Sequence, residues 1–206
     1  MKNIQKYLLI TLLSGLSVTA QNKDTKRADK HFNRFEFVEA AEEYAKLVED
    51  GKGDSYVYGQ LAESYYNVFN TEEAERWYAK ALESSDNPEM IFKYSQMLKA
   101  NGKYEASNVQ MARFAEMRPS DDRAIAYKKN PDYLPKILEK GKKFNIQNMG
   151  FNSKYSDFGG TLQDGKLYIT SARNTSRRTY GWNEEPFLDI YEMSKNADGT
   201  YLAAAL

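Results

Sequence analysis

The strongest constraint on this chain is a self-similarity with a period near 34 residues. Ala40, Ala74 and Ser107 stand 34 and 33 residues apart, and other positions keep step with them. Four residues after each come Tyr44, Tyr78 and Met111; seven after come Leu47, Ala81 and Phe114; twelve before come Ala28, Ala62 and Ser95. A period of that length, with apolar residues at helical spacing, predicts helix pairs that stack and bury a continuous core. Small residues then mark where two helices cross closely. The large ones, among them Tyr65 and Tyr78, fill the space between neighbouring pairs.

Composition removes several function classes. The chain has 206 residues and no cysteine, so disulfide scaffolds, zinc-thiolate sites, cysteine nucleophiles and cysteine lipidation are excluded within it. A single histidine, His31, excludes His-cluster metal sites. The 29 basic and 29 acidic side chains cancel, so no global field draws nucleic acid. The balance is uneven along the chain: residues 21–121 carry 14 basic and 19 acidic side chains, residues 122–206 carry 13 and 10.

The N-terminus reads as an export signal. Lys2 and Lys6 precede an apolar run from Tyr7 to Leu13, and Val18-Thr19-Ala20 supplies small residues at the cleavage position. The run is shorter than the about 20 residues needed to span a bilayer. Cleavage after Ala20 would leave Gln21 as the mature N-terminus.

Segments KRADKHFNRFEFVEAAEEYAKLVE, YGQLAESYYNVFNTEEAERWYAKALE and FKYSQMLKANGKYEASNVQMARFAEMRP together resemble three tetratricopeptide repeats over about residues 23–121, closed by Pro119. Departures from the family pattern are Phe69, where a turn glycine is usual, and Ser107 for alanine. The resemblance implies a solenoid whose first helices line a concave, partner-binding groove. Groove positions would be Asp29, Phe32 and Asn33 in the first repeat, Tyr56, Glu63, Tyr66 and Asn67 in the second, and Phe92, Gln96 and Lys99 in the third. That mixed polar and aromatic set suits a peptide or a partner helix.

Other candidate chemistry in this region has a plainer explanation. Repeat packing accounts for the aromatics Tyr44, Tyr65, Tyr66, Trp77 and Tyr78. The adjacent acids Glu42-Glu43 and Glu72-Glu73 diverge around a helix and belong to a solvated face. His31, beside Phe32, has no accompanying nucleophile and reads as a packed or surface histidine.

Beyond the repeats, Ser120-Asp121-Asp122 is a helix-start signal before Arg123–Lys129, and Pro135 opens a short helix Lys136–Lys140. These form a cap for the solenoid, with Lys136, Lys140, Lys142 and Lys143 on its solvated side. From Phe144 the helical period is replaced by short alternating runs. Asp164-Gly165 joins strands Gly160–Leu162 and Lys166–Ser171 as a hairpin; Phe187–Glu192 is the next strand and Asp198-Gly199 the next turn. The acids Asp157, Asp164, Asp189 and Asp198 fit turn chemistry better than a cation site.

In order, Ser156-Asp157-Phe158-Gly159, the Asp164-Gly165 hairpin, Ser171-Ala172-Arg173 and Asp189-Ile190-Tyr191 resemble one blade of a TolB-type, WD40-like β-propeller, with a loop insertion at Asn174–Pro186. One blade does not stand alone, so the chain reads as the N-terminal fragment of a longer protein.

The expected fold is therefore α + β and multidomain: signal peptide 1–20, helical solenoid 21–121, capping helix and linker 122–143, and the first propeller blade from 144 to 206. A signal peptide, tetratricopeptide repeats and a TolB-type propeller in that order resemble the OmpA-family outer-membrane proteins of type IX secretors. The resemblance implies a non-catalytic scaffold in the periplasm, associated with the outer membrane; this sequence has no cysteine after the signal to carry a lipid. It would have protein partners, no cofactor, no metal, no nucleic acid and no small-molecule substrate. Peptidoglycan would be bound only through a C-terminal domain beyond this chain. Two other readings are the propeller region of a secreted serine peptidase and a TolB-like periplasmic accessory protein. Within this chain no G-x-S-x-G nucleophile elbow is present.

Overall fold

The computed structural model describes residues 23–131, 133–141, 143–197 and 199–203. The export signal with its cleavage after Ala20, Lys142, Asp198 and residues 204–206 lie outside them. The protein is mixed α + β and divides after Pro131 into two compact units.

Among the described residues, the first unit contains three helix pairs and a seventh helix. The pairs are α1 (Lys26–Asn33) with α2 (Phe37–Glu49), α3 (Ser55–Asn67) with α4 (Thr71–Ala81), and α5 (Pro88–Ala100) with α6 (Tyr104–Met117); α7 is Asp122–Lys129. Each helix packs on the next in sequence, as short connections between antiparallel neighbours require. Side-chain caps start several of them. Asp54 accepts from the Val57 amide at 2.8 Å, Asn87 from Glu89 at 2.9 Å and Asp121 from Arg123 at 2.9 Å. Pro88 sits in the first turn of α5, where its missing N–H is no loss.

Residues at the repeated positions are the core. Ala28, Ala62 and Ser95, with Ala40, Ala74 and Ser107, are all buried, and Tyr44, Tyr78, Ala81, Met111 and Phe114 join them. Leu47 is only half-buried at the flank of the first cluster. Ser107 stands where the other pairs have alanine, and its hydroxyl donates to the Ser95 carbonyl at 2.7 Å. That bond satisfies the polar group that the buried crossing would otherwise strand.

The turns within the three pairs share one geometry. Phe35, Phe69 and Gly102 each adopt a left-handed backbone, with φ of 60°, 58° and 75°. In each turn that residue's amide and the next return to the helix just ended: Phe35 to Phe32 and Glu36 to His31, Phe69 to Tyr66 and Asn70 to Tyr65, Gly102 to Lys99 and Lys103 to Leu98. This is the Schellman cap, in which glycine is the preferred left-handed residue. Phe69, where the resemblance led to a turn glycine being expected, thus differs in residue type while keeping a glycine's conformation.

The second unit holds α8 (Tyr133–Glu139) and a four-stranded antiparallel sheet in the order β1 (Asp157–Gln163), β2 (Lys166–Ser171), β3 (Asp189–Lys195), β4 (Tyr201–Ala203). The sequence expectation set the short helix at Lys136–Lys140; it begins earlier, at Tyr133. β1 and β2 join through a two-residue turn with both φ positive, 51° at Asp164 and 74° at Gly165, as the twist of a hairpin demands. β1 runs longer than the expected Gly160–Leu162 because a bulge between Phe158 and Thr161 lets pairing continue back to Asp157. β3 starts two residues after the expected Phe187, whose amide donates instead to Arg178 across the loop that precedes the strand. Ile169, Tyr191 and Met193 form the core on one face of the sheet, flanked by Phe151, Leu167 and Tyr201.

The blade-like motif residues converge in one network. Arg173 donates to Asp157 at 2.8 Å and to the Ser171 hydroxyl at 2.8 Å, and its guanidinium lies 5.0 Å from the Tyr191 ring centre. Asp157 also receives the Ser153 hydroxyl at 2.9 Å. Burial pushes the Asp157 carboxyl up, but the Ser171 hydroxyl, the Ser153 amide and Arg173 outweigh it and hold the group at about 2. Asp189 accepts from Asn174 at 3.0 Å and pairs with Arg177.

Candidate functional site

The ten positions expected to line a groove fall on the first helix of each pair: Asp29, Phe32 and Asn33 on α1; Tyr56, Glu63, Tyr66 and Asn67 on α3; Phe92, Gln96 and Lys99 on α5. Within this set, residues 29, 63 and 96 follow the same period as the core. Each faces the repeated second-helix position of its own pair. Tyr44 donates to Asp29 at 2.5 Å, Tyr78 to Glu63 at 2.6 Å, and the Gln96 amide lies 3.9 Å from the Met111 sulfur.

These contacts give the two acids, Asp29 and Glu63, a structural task. Asp29 collects three hydroxyls, from Thr25 at 2.7 Å, Tyr44 at 2.5 Å and Tyr56 at 2.8 Å. Burial and then the Asp29 carboxylate raise the Tyr56 phenol to about 12 and push Tyr44 up further. Glu63 holds the buried Tyr78 hydroxyl and forms an ion pair with Lys93, whose ammonium also sits 5.0 Å from the Tyr66 ring centre. Tyr66 meets Tyr78 edge-on at 6.4 Å.

The remaining positions divide between core and surface. Phe32 packs edge-on against Phe37 at 5.5 Å. Asn33 is exposed, and Asn67 turns back to donate to the Glu63 carbonyl at 2.7 Å. Phe92 lies 5.3 Å from Phe114, under the guanidinium of Arg123 at 4.4 Å. Arg123 in turn pairs with Glu89 and Asp121, so α7 is tied to α5. Lys99 is half-buried.

The structure therefore joins the expected site residues into local clusters: Asp29 with Tyr56, Glu63 with Tyr66 through Lys93, and Phe92 beneath Arg123. Tyr44, Tyr78, Lys93 and Arg123 belong to these clusters and were not among the expected positions. The first two were accessible from the sequence, since both an acid and a tyrosine recur at 34 residues, 15 apart within each of the first two pairs. Lys93 and Arg123 follow no period and become visible only in three dimensions.

Elsewhere in the first unit, a cavity of about 350 Å³ is lined by Val48, Tyr58, Arg76, Trp77, Ala79, Lys80 and Glu83, none of them an expected groove position. Tyr58 and Trp77 stack at 5.8 Å, Arg76 covers the indole, and Glu73 accepts its N–H at 2.9 Å. The cavity's cations are paired with Glu73 and Glu83. Of the acids expected on a solvated face, Glu42 and Glu72 are exposed, whereas Glu43 is 13% exposed in its side chain and pairs with Arg27 and Lys46. His31 bonds Glu36 through Nδ1 at 2.8 Å.

Among the described residues, no group of three or more metal-ligating side chains converges, and no helix is long and apolar enough to cross a membrane. No protein-family model matches this chain, and no curated protein matches it in sequence.

Proposed function

We propose that the first unit is a tetratricopeptide-type module that holds a protein partner along its α1, α3 and α5 faces. The second unit is then a propeller-type blade, and the protein serves as an exported, non-catalytic scaffold of the cell envelope. In the fuller form of this reading, an OmpA-type protein of the outer membrane ties an envelope complex to the cell wall through a domain beyond this chain.

The observation that carries the reading is the burial of every small residue at the two repeated crossings, 28/62/95 and 40/74/107. With backbones held that close, three first helices can present side chains side by side. The polar, aromatic surface at Tyr56, Tyr66, Gln96 and Lys93 then suits an extended peptide or a helix better than a small molecule. The acids at 29 and 63 act as the posts of this surface and leave recognition to the exposed parts of the rings and amides around them.

Photo-crosslinking in the producing cell tests the proposal. A photoreactive residue at Asn33 or Gln96 should trap a discrete protein partner in the envelope fraction, and one at Glu116 on α6 should not. Equal capture from all three positions, or none, defeats the groove. Mature protein that begins at Met1 defeats export.

A further inference from the structure

Two large side chains occupy the one backbone conformation that glycine fills better. Phe35 and Phe69 are left-handed at φ 60° and 58°, and they are 69% and 74% exposed. A bulky residue there is a genuine outlier, and conformational strain of this kind collects at functional positions. Neither ring is needed to make the turn, because Gly102 makes the same turn in the third pair and Gly51 closes α2 with the same two bonds. Among the described residues Phe35 touches Phe37 edge-on at 6.0 Å, while Phe69 has no ring contact. Burial within the fold therefore does not account for Phe69.

Helices that alternate in direction place the three within-pair turns on one edge of the unit. Read along that edge, the left-handed residues are Phe35, Phe69 and Gly102, and the residues that follow them are Glu36, Asn70 and Lys103. The second series is acid, amide, base. It is its own complement when read backwards, and so is the first in shape, with a ring opposite a position that has no side chain. A two-fold axis through the middle turn would set Phe69 against Phe69 and Asn70 against Asn70. It would also set Phe35 over Gly102, and Glu36 beside Lys103, at both ends.

We propose that this edge is an isologous contact with a second copy of the chain. Such self-complementarity is what a two-fold dimer interface requires. Glu36 keeps its bonds to His31 and Arg34, and Lys103 its pair with Glu75, so the intermolecular charges meet as members of small networks. Four largely exposed phenylalanine rings bury roughly 500 Å² across the pair. With the flanking turn residues the total approaches about 1,000 Å², the low end for a specific interface, so the dimer is weak.

Sedimentation equilibrium of the chain from about 1 µM to about 1 mM should show self-association, which the double variant Phe35→Gly/Phe69→Gly weakens at least about 10-fold. At low concentration the same variant should melt no lower than the parent, and about 2–4 °C higher if relief of strain dominates. Glu36→Lys should weaken association, and Glu36→Lys combined with Lys103→Glu should restore it. A parent chain that stays monomeric throughout overturns the proposal and leaves these rings for a different partner. So does a glycine variant that associates as tightly as the parent. A glycine variant with a lower melting temperature shows the rings to be structural, and a charge exchange that fails to restore association overturns the antiparallel register.

Discussion

Tyr44 and Tyr78 show how a single residue can serve core and surface together. Each ring is fully buried, and each hydroxyl reaches an acid on the neighbouring first helix. Removing Glu63 would strand the Tyr78 hydroxyl and leave Lys93 unpaired. Glu63→Ala should cost about 2–3 kcal/mol, against about 1 kcal/mol for Tyr78→Phe, as urea denaturation can measure. Equal costs would mean that the stranded hydroxyl and the unpaired Lys93 add nothing to the loss of the bond itself. The second unit has its own polar anchor in Asp157. Its carboxyl is held at about 2 when folded, below its unfolded value, so it stabilises above the unfolded value and that contribution is lost as pH falls through the folded one. Allowing for screening, the stabilisation is about 1–2 kcal/mol, complete above about pH 5 and gone below about pH 1. Asp157→Asn should flatten that part of the acid limb in a pH series of melting curves; an unchanged limb would show that the Ser171, Ser153 and Arg173 contacts do not hold the charge. Glu73 makes the same point about reading residues singly. It looks like a solvated acid in the sequence, yet it accepts the Trp77 indole N–H.

At the scale of elements, the helix pairs were legible because their signal is periodic and repeated three times. Small residues at 28, 40, 62 and 74 announced close crossings, and the same positions are buried. Ala74 gives the sharpest test. Its side chain has no exposure, in a cluster with Ala62, Tyr78 and Met97. Ala74→Trp should overpack the crossing and cost about 3 kcal/mol or more, whereas Glu72→Ala on the exposed side should stay within about 0.5 kcal/mol. Matching melting temperatures would refute the register. The strands were less legible, for two physical reasons. A bulge at Gly159 and Gly160 shifts register without a mark in the alternation, and Phe187 sits on Tyr180 at 4.6 Å in a loop although its sequence alternates like a strand. The expected groove positions were legible as places on helices, but their bonding was not. Whether an acid meets a tyrosine or a partner depends on which helix packs beside it, and no local pattern carries that.

At the scale of the molecule, the chain divides where its periodic signal stops. Three core clusters serve the helical unit, and α7 closes the last through Ala124, Tyr127 and the Arg123 pairs. The sheet has one cluster on one face. On its other face Phe158 and Ile190 stand in register with Thr170 and remain exposed. On either side of the division at Pro131, Lys128, Lys129, Lys136, Lys140 and Lys143 are all exposed, as are Phe144, Ile146 and Met149. A stretch with exposed backbone and few buried contacts opens at low cost, and cleavage follows the population of the open form. Brief trypsin treatment should therefore cut first between Lys128 and Lys143. It should leave a helical fragment that keeps its far-UV dichroism and melts cooperatively. The sheet fragment should be digested sooner, because one half-covered core resists opening less than three stacked ones. Mass spectrometry of the early products decides the matter. First cuts inside α3 to α6, or a sheet fragment that outlasts the helical one, would mean that stability is shared between the units rather than concentrated in the repeated pairs.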